Sequence, residues 1–367
     1  MFYKDLVFMK NYRFNKRSKK LIINDKTGVC NRIWKETVEP KQVKELVLEE
    51  GIENIAVESF KNCYNLEIVN FPLTLQQIGD FAFYSCDSIK ELEIPKNVFY
   101  LGTSSFCNCK KLEKVSLPSS LIKIDNGAFA SCEALDKVVI PKGVLELSAS
   151  TFYNCANLSS ITLPSTLKII GNDAFCNCKS LKEIKLPEEI EVISDGMFFS
   201  CVNLERVSLP KHLKAINKNA FRNCQSLKEI VIPEGVTIIE YFAFCSCYKL
   251  EKIILPSTIL KINDDAFYSC SLLKEILIPK SIKEFGKNVF ADCNSLNKIV
   301  FEKGIDKKIV EKIKDEYPNL KVCYISKDDE YNEKQINDDK QRLVKKLWNE
   351  KTKKFKKDDD EKNTLFF

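Results

Sequence analysis

Apolar residues along this chain recur every 23 positions, and no insertion breaks the register over residues 43–301. In one copy Leu181, Ile184 and Leu186 lead to Pro187. Ile190 and Ile193 follow, then Phe198 and Cys201, with mostly polar residues between them. Phenylalanine returns at this spacing eleven times, from Phe60 to Phe290, and cysteine eleven times, from Cys63 to Cys293. Proline returns ten times, from Pro72 to Pro279. The Leu-x-x-Ile-x-Leu stretch predicts a short strand with its first, fourth and sixth residues inward. Proline fits the strand end, where a missing N–H costs least. The pair Ile190 and Ile193 lines the return path. A small residue before phenylalanine, as in Ala174-Phe175 or Ala266-Phe267, permits a tight turn toward the cysteine.

A coil of this size cannot bury its own apolar face. Stacking like coils sets Leu on Leu, Phe on Phe and Cys on Cys, and one continuous core results. A 23-residue period lies in the leucine-rich-repeat range of roughly 20–29. The first strand, from Val43 through Leu46 to Leu48, has Glu49 where proline is expected, as suits a terminal coil. Residues 305–316 predict an amphipathic helix with Ile309, Val310 and Ile313 on one side. The stretch Leu320–Ile325 then restores a strand, read as one residue out of register. The expectation is thirteen strands, stacked over about 60 Å at ~4.8 Å per strand. The chain divides into a basic N-terminal arm and cap (1–42), a solenoid (43–301), a C-terminal cap (302–326) and a charged tail (327–367). In the tail, Ile336, Leu343, Val344, Leu347 and Trp348 fall at helical spacing, which suggests a helix at 333–349.

The pattern Cys-x-x-Leu-x-x-Ile-x-Leu-Pro-x-x-Leu-x-x-Ile-x-x-x-Ala-Phe-x-x-Cys resembles the BspA-type, or Treponema-type, leucine-rich repeat. The resemblance covers residues 43–301. It implies a β-solenoid or horseshoe with a parallel-strand face, and a non-enzymatic binding role. Many members are surface proteins implicated in adhesion to host or neighbouring cells. No asparagine follows the strand here as in commoner leucine-rich repeats, because proline stands in its place.

The outward strand positions carry further patterns. From Leu181 onward the first two read Lys182-Glu183, Glu205-Arg206, Lys228-Glu229, Glu251-Lys252 and Lys274-Glu275. Each column alternates in sign, so each charge meets opposite charges above and below, a stabilising ladder with little net field. Two residues beyond the second of these, the column reads Asn70, Glu93, Ser116, Val139, Thr162, Lys185, Ser208, Val231, Ile254, Leu277 and Val300, with Tyr324 from the capping strand. The last five are apolar or aromatic on consecutive coils. Val231, Ile254, Leu277, Val300 and Tyr324 are therefore the candidate protein-binding residues. Cover by the chain's own tail and simple β propensity are the alternatives.

Composition removes most chemistry. The net charge of +6 resides in residues 1–39, with ten Lys/Arg against four Asp/Glu, so no fold-wide basic field points to nucleic acid. Tyr12 and Phe14 interleave with Arg13, Lys16, Arg17, Lys19 and Lys20, an arrangement that suits RNA or an anionic membrane. Such runs are more commonly solvated, and no nucleic-acid or lipid partner is assigned to them. No Gly-rich phosphate loop occurs. One histidine, His212, would have to serve any Ser-His-Asp or Cys-His site. The eleven ladder cysteines read as small buried apolar residues. Three Cys-x-Cys pairs begin at Cys107, Cys176 and Cys245, three coils and roughly 14 Å apart, too far to share an ion. No metal, cofactor, catalytic residue or small-molecule substrate is expected. With no visible signal peptide, anchor or apolar span, the expectation is a cytoplasmic protein with a protein partner, or alternatively a cell-surface protein exported by another route.

Overall fold

The computed structural model describes residues 6–324; the predicted tail and its helix at 333–349 lie outside them. Each coil has three faces. One carries the longer strand, such as Glu183–Lys185, and a second the two-residue strand, such as Val192–Ile193. Strands of adjacent coils pair in parallel at the 23-residue offset, as Glu183 with Arg206 and Val192 with Ala215. Leu181, Ile184, Leu186, Ile190 and Ile193 are all buried, so the inward set is the predicted one. Between the strands the chain turns at the proline, where the Ile190 N–H donates to the Pro187 carbonyl at 3.2 Å.

The third face has no strand. Its backbone alternates between bonds inside the coil and bonds to the next one. Asp173, Phe175 and Asn177 donate their N–H groups forward to the carbonyls of Asp195, Met197 and Phe199, at 2.9, 3.0 and 2.7 Å. Cys176 and Cys178 donate back to Asp173 and Phe175. Two residues per coil adopt positive φ to permit this, as Asp173 (55°) and Asn177 (63°). The second position is Asn, Ser or Asp in every coil from Asn62 to Asp292; Asn and Asp are the types that enter that region most readily after glycine. Their side chains form a ladder of their own: Asn108 donates to Ser85 at 2.7 Å and Asn223 to Ser200 at 3.0 Å. The strand end lacks an asparagine ladder, but this turn has one built of asparagine and serine.

Inside, the phenylalanines make one column of rings. From Phe60 to Phe290 successive centroids are 5.1–6.0 Å apart with planes within 20°. Trp34 begins the column, 5.7 Å from Phe60. Beside the rings, ten cysteine thiols, Cys86 to Cys293, each donate to the phenylalanine carbonyl of the preceding coil, as Cys178 to Phe152 at 3.2 Å. Cysteine here fills an apolar space and still offers a donor, which alanine or valine would not. All sixteen cysteines are unpaired thiols.

The stack begins before residue 43. Lys20–Ile23 pairs in parallel with Glu45–Leu48, Val29–Cys30 pairs with Asn54–Ile55, and Trp34 stands in the phenylalanine position. The longer-strand face thus holds fourteen parallel strands rather than thirteen. Leu6–Met9 and Tyr12–Asn15 add an antiparallel hairpin at the outer edge. Tyr12 and Phe14, read from sequence as exposed beside cations, are 5% and 1% exposed and belong to this cap. Arg13 pairs with Glu49 at 2.8 Å and Lys20 with Glu45 at 2.7 Å.

The C-terminal cap is a helix, Lys307–Glu316, started by the Asp306 side chain, which accepts from the Lys308 N–H at 2.9 Å. Ile309, Val310 and Ile313 bury against the last coil as predicted. Forward donation on the turn face leaves that coil with N–H groups and the first with carbonyls. The Phe290 N–H donates to the Tyr317 hydroxyl at 2.9 Å, and the Asn288 N–H to the Glu316 carboxylate. Lys312 donates to the carbonyl of Phe285, which a further coil would otherwise engage. At the opposite end the Trp34 indole N–H donates to the Ser59 carbonyl at 3.1 Å and Lys35 to Lys61 at 3.4 Å. Side chains at each end thus stand in for the absent neighbour.

Candidate interaction surfaces

Val231, Ile254, Leu277 and Val300 stand on four consecutive strands of the longer-strand face. Val231 is opposite Ile254, and Leu277 opposite Val300. All four point outward and are half-buried. Most earlier members of the column, such as Asn70, Glu93, Ser116 and Lys185, are polar and exposed. Only the C-terminal third of this face therefore offers a continuous apolar stripe.

Tyr324 does not extend it. The closing strand Lys321–Tyr324 keeps the 23-residue offset, so Cys323 sits opposite Val300 and Tyr324 opposite Phe301. Counting from Leu320 had put it one residue later. The Tyr324 ring lies 5.9 Å from that of Phe301, on the core side of the strand at its open edge, and is 53% exposed. It borders the stripe rather than belonging to it.

A second apolar surface escaped the sequence reading. On the two-residue-strand face Ile122, Leu145, Ile169 and Val192 occupy four successive coils at 58, 50, 53 and 37% exposure. The signal was present, because two positions per coil lie between the inward apolar pair there. That pair had been read only for what points inward. On the turn face several half-buried rings lie under the chain's own cations: the Arg222 guanidinium is 5.0 Å from Phe242 and 5.7 Å from Phe199, and Lys61 is 5.5 Å from Phe81.

Charges elsewhere on the strand faces pair between coils, as Arg206 with Glu183 at 3.1 Å and Lys214 with Glu191 at 2.7 Å. The alternation fails near the middle, where Lys114 lies opposite Lys137. A shallow groove of about 510 Å³ opens there, lined by Glu91, Glu113, Asp136 and these two lysines. Of the chemically capable groups, His212 is exposed at the turn after Pro210. Burial drives nine of the ladder thiols, from Cys86 to Cys270, well above the ordinary thiol range, so these are held protonated. Cys107 and Cys176 are raised too, mainly by burial, and Cys176 reaches about 12. Among the described residues no three His, Cys, Asp or Glu gather around a common point, and no helix is long and apolar enough to cross a membrane.

Parallel 23-residue coils, a packed apolar column and dissimilar end coils define a leucine-rich-repeat solenoid, a class whose members generally work as binding scaffolds. The description "BspA type Leucine rich repeat region (6 copies)" matches residues 32–158, 145–271 and 192–313, and the chain belongs to that family. Among solved structures it is similar to a leucine-rich repeat protein from Bacteroides ovatus, at 22% identity and a TM-score of 0.61, over 87% of this chain and 100% of that one. It is also similar to a leucine rich cell surface protein from Faecalibacterium prausnitzii, at 24% identity and a TM-score of 0.54, over 89% of this chain and 96% of that one. No curated protein matches the chain.

Proposed function

We propose that this protein is a non-enzymatic scaffold that docks a protein partner along the C-terminal third of its longer-strand face. The observation that carries this is the stripe of Val231, Ile254, Leu277 and Val300, with Tyr324 at its border, on a strand face whose outward positions are mostly polar elsewhere. Contiguous apolar surface rimmed by charge is the usual mark of a contact site. The alternating charges around it set little net field, so recognition rests on shape and apolar contact more than on steering.

The test is capture of a partner from lysate of the source organism, with the intact chain as bait and Ile254→Asp/Leu277→Asp as control. Both side chains point away from the core, so the variant keeps its fold by circular dichroism and melting. Both side chains are half-buried already, so burying the rest of them in the complex contributes about 1.5–3 kcal/mol, which the variant loses. Affinity then falls at least ~10-fold. A partner held equally by both chains moves recognition away from this stripe.

A further inference from the structure

We propose that, without a partner, residues 336–348 of the same chain lie along the Val231–Val300 stripe and leave it when a partner docks. The inference rests on reading that stripe as the contact surface. Three observations point to this occupant. The last described strand ends at Tyr324, with Cys323 directly opposite Val300, so the chain leaves the fold beside the stripe. The residues beyond are mostly charged, yet Ile336, Leu343, Val344, Leu347 and Trp348 recur at helical spacing.

The lengths also agree. From 336 to 348 at 1.5 Å per residue is about 18 Å. Three coil steps of ~4.8 Å carry Val231 to Val300 over about 14 Å. The residues between 324 and 336 can extend over roughly 35 Å, enough to run back along the stripe in either direction. A tethered segment of this kind acts at an effective concentration of order millimolar, so weak contact suffices. The other apolar surface, around Leu145 and Ile169, lies on a different face and several coils from the point of exit.

The two tryptophans give a direct readout. Trp34 is 1% exposed within the N-terminal cap, so collisional quenching reports Trp348. Acrylamide quenching and emission are measured on the full chain, on Ile254→Asp/Leu277→Asp, and on Leu145→Asp/Ile169→Asp. The expected result is a blue-shifted, protected Trp348 in the natural chain. The stripe variant should quench several-fold more readily, with a red shift, and the other variant should match the natural chain. Quenching of the natural chain as easy as that of the stripe variant overturns the proposal, and so does equal release by both variants. The two readings fail separately. A partner lost by the stripe variant from a chain whose Trp348 was always open leaves the scaffold reading standing. A protected Trp348 with a partner indifferent to the variant removes the scaffold site and keeps the self-contact.

Discussion

Tyr317→Phe removes one oxygen from the C-terminal cap and little else. The ring lies 5.9 Å from Phe290 and stays as the end of the aromatic column. What disappears is the hydroxyl that accepts the Phe290 N–H at 2.9 Å and donates to Glu316 at 2.8 Å. Burial first, and the Glu316 carboxylate besides, push the phenol far above its usual range. It is a neutral hydroxyl at every working pH, and the effect carries no titration. Phe290 is 3% exposed, so its N–H gains no ready access to water. An N–H left in that state costs about 1–3 kcal/mol, or roughly 5- to 150-fold in the local opening equilibrium. The assay is amide hydrogen exchange, comparing Phe290 with Phe152. Coils couple chiefly to their nearest neighbours, so acceleration should concentrate at the last coil and leave Phe152 unchanged. Unchanged exchange at Phe290, or equal acceleration along the whole stack, would refute the reasoning.

Two further expectations follow from the core. Phe175→Ala deletes a fully buried ring that stacks on Phe152 at 6.0 Å and Phe198 at 5.7 Å; urea denaturation should show a loss of about 3–5 kcal/mol, and a loss below about 1 kcal/mol would deny the column its role. Burial raises the folded-state pKa of the nine ladder thiols from Cys86 to Cys270 above the unfolded value of about 8.5, so the stability they contribute is whole below that pH and is lost as pH climbs past it. The urea midpoint should therefore hold near pH 7 and fall by about pH 10, while iodoacetamide reaches the half-exposed Cys107 and Cys323 before any ladder thiol. A flat midpoint over that span counts against protonated, buried thiols.

Much of the solenoid was legible because stacking is a local rule repeated. A fixed period with Leu, Ile, Phe and Cys in fixed places leaves one way to bury them all, so the inward set, the proline turns and the capping helix could be read directly. The outward columns were legible as a pattern of polarity, including the change from Lys185 and Ser208 to Val231 and Ile254. Where the period broke, reading stopped. Sequence suggests a strand at Leu21–Ile23 added to the stack, but the whole first coil is not legible, because Lys20 and Glu45 pair 25 residues apart and tryptophan replaces phenylalanine. Tyr12 and Phe14 read as part of a solvated basic arm for the same reason: nothing local shows that a hairpin folds over an open stack end.

Tertiary structure decided what no single coil contains. The register of the closing strand follows the hydrogen bonds Val300 and Phe301 offer, not the spacing from Leu320, and this moved Tyr324 off the stripe. The exposure of Ile122, Leu145, Ile169 and Val192 depends on which face their coils present outward. The one-way bonding of the turn face fixes which ends need donors and which need acceptors. Sequence by itself set the content and period of the core, because burial of apolar side chains is additive along a repeat. The ends, the registers beyond the repeat and the surfaces left open came from long-range pairing, where partners distant in sequence compete for the same hydrogen bonds.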